Sequence, residues 1–124
     1  MGDIGTSNMS SPFKAILDKY RPNLASYEEL YRHLHANGEL STQEKETARS
    51  IAAQLTALSP DLDIRTGIGG HGLIAILKNG PGKTVLLRAD IDALPVAEKT
   101  GLPYASTKTM KDTDGEVKPV MHGK

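Results

Sequence analysis

A chain of 124 residues accommodates one domain around one core. Lys plus Arg total 15 and Asp plus Glu total 15, so a formal net charge of zero supplies no long-range field for nucleic acid or an anionic membrane. The absence of cysteine excludes disulfides and thiolate ligands and fits a reducing, cytoplasmic setting, while no segment approaches the roughly 20 apolar residues of a membrane span.

Residues 1–11 are small and polar without periodicity and offer little apolar surface to offset the entropy of ordering, which predicts a flexible tail. From residue 12 to 24, Phe13, Ile16, Leu17 and Tyr20 fall at helical spacing before Arg21-Pro22, predicting a short helix with a packing face. Residues 1–24 thus read as a tail with a short helix, and residues 25–124 as the body of the domain. Ser26 with Glu29 has the form of a capping box, followed by Tyr27, Leu30, Tyr31 and Leu34 on one helical face. A second box, Ser41 with Glu44, predicts a longer helix that carries Ala48, Ile51 and Leu55 inward and stops at Ser59-Pro60.

Three extended runs follow, Leu62 to Thr66, Leu73 to Lys78 and Thr84 to Ala89, separated by glycine-rich or Gly-Pro turns and expected to share one sheet. Because Val85, Leu86 and Leu87 are continuously apolar, the third run is expected to be central and covered on both faces, which implies a layered α/β architecture. After Ala93-Leu94-Pro95 the chain becomes loop-like, and Ser106 to Lys118 reads as a polar insertion with Asp114-Gly115 at its tip.

Two glycine patterns imitate nucleotide loops. Gly67, Gly69 and Gly72 spell G-x-G-x-x-G, but the strand-like Leu73-Ile74-Ala75-Ile76-Leu77 follows where a helix N-terminus would have to receive the phosphates, so a hairpin turn explains them better. Gly82-Lys83-Thr84 lacks the leading glycine of a phosphate loop and also feeds a strand.

The run that carries chemistry is Leu87-Arg88-Ala89-Asp90-Ile91-Asp92-Ala93-Leu94-Pro95, an apolar strand ending in two carboxylates. At the carboxyl end of a strand such carboxylates either bind or orient a metal site or cap the following turn, and the spacing does not separate the two. Of the four histidines, His33 and His35 point in different directions on one helix and cannot clamp one ion together. His35 serves either to shape a site or as a structural hydrogen-bonding group, and His71 reads as exposed in its turn.

The same run resembles the R-A-D-x-D-A-L-P signature of the M20 family of metallopeptidases, in its aminoacylase-like amidohydrolase branch. Leu34-His35 with Glu39-Leu40-Ser41 and Glu44 is similar to that branch's L-H-x-x-P-E-L-S-x-x-E, Gly69-Gly70-His71-Gly72 to its G-G-x-G turn, and Thr100 to Ser106 to its T-G-L-P-Y-A-S. The resemblance implies a partial, truncated αβα layered catalytic domain of the zinc-peptidase type with a mixed sheet, residues 25–124 being its N-terminal portion. It further implies hydrolysis of the amide bond of N-acyl amino acids or amino-acid conjugates by two divalent ions, Zn, Mn or Co. On this resemblance Asp92 orients a metal-binding histidine, Asp90 supports the ligands from behind, and His122 is the histidine nearest a metal position. Where the family continues into C-G-H-D this chain reads Lys124, so by itself it is expected to hold no metal tightly and to be inactive. The alternative is a non-catalytic product that acts as an interaction module and exposes surface prone to homo-oligomerisation. Gly38 stands where the family has proline, and the insertion after Ser106 is placed near the site entrance.

Overall fold

The computed structural model describes residues 11–123, so the tail expected over residues 1–11 lies, except for Ser11, outside the described residues. Helix α1 spans Ser11–Tyr20 and stops before Pro22, which lacks the N–H needed to continue it. Its apolar side was expected to pack, but Phe13, Ile16 and Tyr20 are each more than half exposed.

Helix α2 (Ala25–Ala36) begins one residue before Ser26, which therefore sits inside the first turn, past the position from which it could cap. The local acceptor is Asn23, whose Oδ1 takes the Ala25 N–H at 3.0 Å. Helix α3 (Lys45–Leu58) also departs from its expected box, because Ser41 makes no cap and Glu44 holds the N-cap position without a side-chain cap bond. Instead Glu39 reaches forward, accepting the Glu46 N–H on Oε1 at 3.2 Å and the Thr47 N–H on Oε2 at 2.6 Å. Two of the unpaired amides at the start of α3 are thereby satisfied by a carboxylate, which also complements the positive end of the helix dipole.

Strands β1 (Leu62–Ile68) and β2 (Gly72–Leu77) form an antiparallel hairpin in which Leu62 faces Leu77 and Ile64 faces Ala75. A bulge falls between Thr66 and Ile68, where Gly67 has φ 76°, a left-handed conformation that a Cβ would strain. Hence the glycines of the apparent nucleotide motif are the turn and bulge of a hairpin. Helix α3 packs on this hairpin, giving one helix-on-strand layer.

The third run does not join it. Residues 83–92 belong to no strand, and Val85, Leu86 and Leu87 are 83%, 87% and 92% exposed. An apolar strand is buried on two faces only if neighbouring strands fix it in a sheet, and β1 and β2 pair only with each other. The expectation of three strands in one sheet is corrected accordingly. The fold class stands: helices and antiparallel strands together make a small α/β domain.

The polar insertion is a second hairpin rather than a loop, with β3 (Thr109–Lys111) antiparallel to β4 (Val117–Pro119) and Met110 opposite Lys118. Its tip is at Asp114-Gly115 as the turn chemistry predicts, with Gly115 at φ 87°. Lys118 Nζ bridges Asp112 at 2.9 Å and also meets Asp114, so the Asp112 and Asp114 contacts raise the lysine pKa while both carboxyls are lowered.

The buried centre is small and built from three distant places: Leu40, Ala93 and Val120, with Met110 packed against them. Backbone bonds fasten the same three segments, Ala93 N–H to Glu39 O at 2.7 Å, Leu94 N–H to Met121 O at 2.8 Å and Met121 N–H to Leu94 O at 3.0 Å. Gly38 sits at this junction, where a Cβ would lie 2.8 Å from Ala93 Cβ and 3.3 Å from His122 Cδ2. Glycine at this position therefore permits close packing, beyond any relaxation of the turn. Among the described residues no helix is long and apolar enough to cross a membrane.

Candidate functional site

The inner side of α2 and the start of α3 face the segment that leads into Ala93, and between them lies a cleft of about 250 Å³. Its walls are mainly apolar, from Tyr31, Leu34, Ile51 and Ile91, and its polar groups come from His35, Thr47, Asp90 and His122. A mainly apolar recess with a few converging polar side chains is the usual form of a small-molecule site. Two of the three residues singled out from the sequence thus share one cleft. Asp92, half-buried two positions on, is not part of its lining.

The best-ordered polar feature beside the cleft is the pair His35 and Glu98. His35 Nε2 lies 2.9 Å from Glu98 Oε1, and the side chains are 7% and 0% exposed. Glu98 accepts two further hydrogen bonds: the Thr100 hydroxyl donates to Oε1, and the Ser106 N–H donates to Oε2 at 2.5 Å. The Thr100 hydrogen bond, then those of His35 and Ser106, hold this carboxyl down at about 2. Of the two roles left open for His35, the structure displays a hydrogen bond that ties α2 to the segment between residues 98 and 106. Tyr104 from that segment meets His35 edge-on, with centroids 5.4 Å apart at 85°, and Tyr31 at 6.1 Å and 74°. The guanidinium of Arg32 covers the Tyr104 ring at 5.9 Å.

Glu39 closes the floor behind the cleft by holding Thr47, a lining residue, through its backbone N–H. Burial opposes the Glu39 charge, yet the bonds from Thr47 and Glu46 outweigh it and keep the carboxyl below its ordinary value. Asp90 lies at the open rim with its side chain 46% exposed and Arg88 Nη2 3.8 Å away, an ion pair of little energetic weight in solvent. His33 is exposed, as expected, and its carbonyl accepts the Asn37 amide at 2.8 Å. His71 is half-buried rather than exposed, because its turn folds back toward Ala48 and Arg49 of α3.

Asp90 and His122 could each donate to a cation, but among the described residues no group of three or more His, Asp or Glu side chains is placed to hold a metal ion. Two donors on a half-open rim do not fit the metal centre that the family resemblance implies, and no chemical step is derived through one. Sequence reasoning passed over Glu98 and Tyr104 as site-forming residues. Their signal was the Thr100 to Ser106 motif itself, whose turn exists to wrap around the Glu98 carboxylate.

No family model matches the chain. It is similar to N-acetyl-L-cysteine deacetylase of Bacillus subtilis (strain 168), 47% identical over 76 residues that make up 60% of this chain and 18% of that protein. It is also similar to hippurate hydrolase of Campylobacter jejuni, 39% identical over 83 residues, 66% of this chain and 21% of that protein. Its homologues are M20-family amidohydrolases and peptidases. Among the M20 peptidases, thermostable carboxypeptidase 2 of Saccharolobus solfataricus is 37% identical over 94 residues, 76% of this chain and 22% of that protein. The chain spans about a fifth of the length of the M20 relatives it matches.

Proposed function

We propose that this chain forms one wall of the substrate cleft of an M20-type amidohydrolase that cleaves the amide bond of N-acyl amino acids or related amino-acid conjugates. The observation that carries this reading is the mainly apolar cleft with Asp90 and His122 on its rim, in a chain whose homologues bear deacetylase and hydrolase names. An apolar recess suits an acyl group, and carboxylate and imidazole groups at its edge suit the polar amide end. In that reading Asp92 orients a metal-binding histidine, Asp90 supports it, and His122 approaches the metal. The ions would be Zn, Mn or Co. By itself the 124-residue chain is proposed to be inactive.

The test is a graft. The 83 matching residues of this chain replace their counterparts in the Campylobacter jejuni hippurate hydrolase, and hippurate hydrolysis is followed with Zn, Mn or Co present. The proposal expects a working chimaera whose rate falls roughly 10- to 100-fold with Asp92→Asn, the cost typical of losing a residue that orients a metal ligand. A chimaera that folds and binds metal but leaves hippurate intact would remove the support for this function.

A further inference from the structure

The glycines that imitate a nucleotide loop lie against a second cleft, of about 290 Å³, between the start of α3 and the β1–β2 turn. Lys45 and Arg49, one helical turn apart, supply one wall, while Thr66, Gly67, Gly70 and His71 supply the other. Among the described residues Lys45 has no acidic partner. Arg49 pairs with Glu46 at 3.4 Å, but the side chains are 81% and 63% exposed, so the pair carries little weight in water. Backbone donors stand beside these cations, because among the described residues the N–H groups of Gly70 and His71 meet no protein acceptor. Unpaired N–H groups on successive turn residues make a concavity that attracts anions. A Cβ built on Gly70 would find nothing within 4 Å, so the space over the turn is open.

We propose that this cleft binds a phosphate group, carried by a small phosphate ester or as free inorganic phosphate. The Lys45 ammonium offers a point charge and the Arg49 guanidinium a planar fork, which together match the charge and several oxygens of a dianion. The turn amides and the His71 ring can donate to the oxygens that remain. A carboxylate, with two oxygens and a single charge, would leave part of this donor set unused. The attraction is not that of a bare helix end, since the first-turn amides of Glu46 and Thr47 are already held by Glu39. A dinucleotide loop needs a helix immediately after its glycines, and here a strand follows them. The cations come instead from α3, which precedes the hairpin in sequence and packs on it. Thr47 and Ile51 line the first cleft whereas Lys45 and Arg49 line this one, so the site occupies another face of α3 and is independent of the hydrolase reading.

The experiment titrates the isotope-labelled 124-residue chain with inorganic phosphate, glycerol 3-phosphate and acetate, and follows its amide signals by NMR. Ionic strength is held constant, and the pH is kept above 7, where a phosphate group carries most of its second charge. Saturable, millimolar binding of a phosphate probe that moves the Gly70 and His71 amides is expected, with no saturable shift from acetate. Lys45→Gln and Arg49→Gln should each weaken that binding about tenfold and together abolish it. Both side chains are exposed, so the circular dichroism spectrum of each variant should match wild type. Tighter binding of glycerol 3-phosphate than of inorganic phosphate identifies an ester as the source, and the reverse order identifies free phosphate. Shifts that grow linearly with concentration overturn the proposal, as do shifts that acetate reproduces at equal ionic strength. Binding that survives the double substitution at unchanged strength overturns it equally.

Discussion

Removing the Glu39 carboxylate should uncouple helix α3 from the buried centre. Glu39 is 5% exposed and supplies the acceptors for two first-turn amides, at 3.2 and 2.6 Å. Hydrogen bonds to a charged group contribute about 1.5–3 kcal/mol each, and the longer of these two belongs near the bottom of that range. Water admitted by truncation recovers part of the loss, so Glu39→Ala should cost about 2–3 kcal/mol, a large share of the roughly 5–15 kcal/mol typical of a domain. Glu39→Gln keeps one acceptor for Thr47 and turns an amide toward Glu46 N–H, so about half that cost is expected. The pH dependence has a fixed sign: the carboxyl titrates lower folded than at its ordinary 4.5, so its stabilisation is complete above that value and fades as pH falls through the lowered folded one. Urea unfolding followed by far-ultraviolet circular dichroism at pH 7 and below 4.5 measures both effects. If Glu39→Ala unfolded at the wild-type urea midpoint, or if the deficit of Glu39→Gln did not shrink in acid, the non-local cap would be refuted.

Gly38→Ala should lower thermal stability by about 1–3 kcal/mol, since its new methyl meets Ala93 Cβ at 2.8 Å and neither group can rotate away; a melting temperature equal to wild type would contradict the packed junction. Glu98→Gln should loosen the segment that carries Tyr104, visible as a reduced near-ultraviolet signal at pH 7. Because Glu98 titrates near 2 when folded and 4.5 is its ordinary value, the stability difference from wild type in urea unfolding should shrink as pH falls between these values, and a stability difference that does not shrink would exclude the carboxylate as its source.

Local chemistry was the legible part of this sequence. The β1–β2 hairpin follows from glycines that must take positive φ, and Asp114-Gly115 announces the tip of the second hairpin. Strands β3 and β4, three residues each, carry too few alternating positions to stand out from a polar loop. Both serine capping boxes failed because better acceptors lay elsewhere: Asn23 two residues before the first amide it serves, and Glu39 seven and eight residues before its two. Thr84 to Ala89 has the composition of a buried strand, but composition cannot supply the neighbouring strands that burial requires. At the site, Asp90 and His122 were readable from motifs and do share the cleft, whereas the partnership of His35 with Glu98 spans 63 residues and has no local signature.

The meeting of Leu40, Ala93 and Val120 also bears on the order in which the chain acquires its structure. Helix α3 and the β1–β2 hairpin are neighbours in sequence, so their contacts close short loops and can form early. The buried trio instead joins points about 50 and 80 residues apart along the chain, and the entropy of closing such loops must be met before any of its packing is gained. Folding should therefore show a fast local phase followed by a slower one that reports on Val120. A protein still emerging from the ribosome would carry a formed helix and hairpin for some time before its centre could close, and through that interval the Val85 to Leu87 run would already be in contact with solvent.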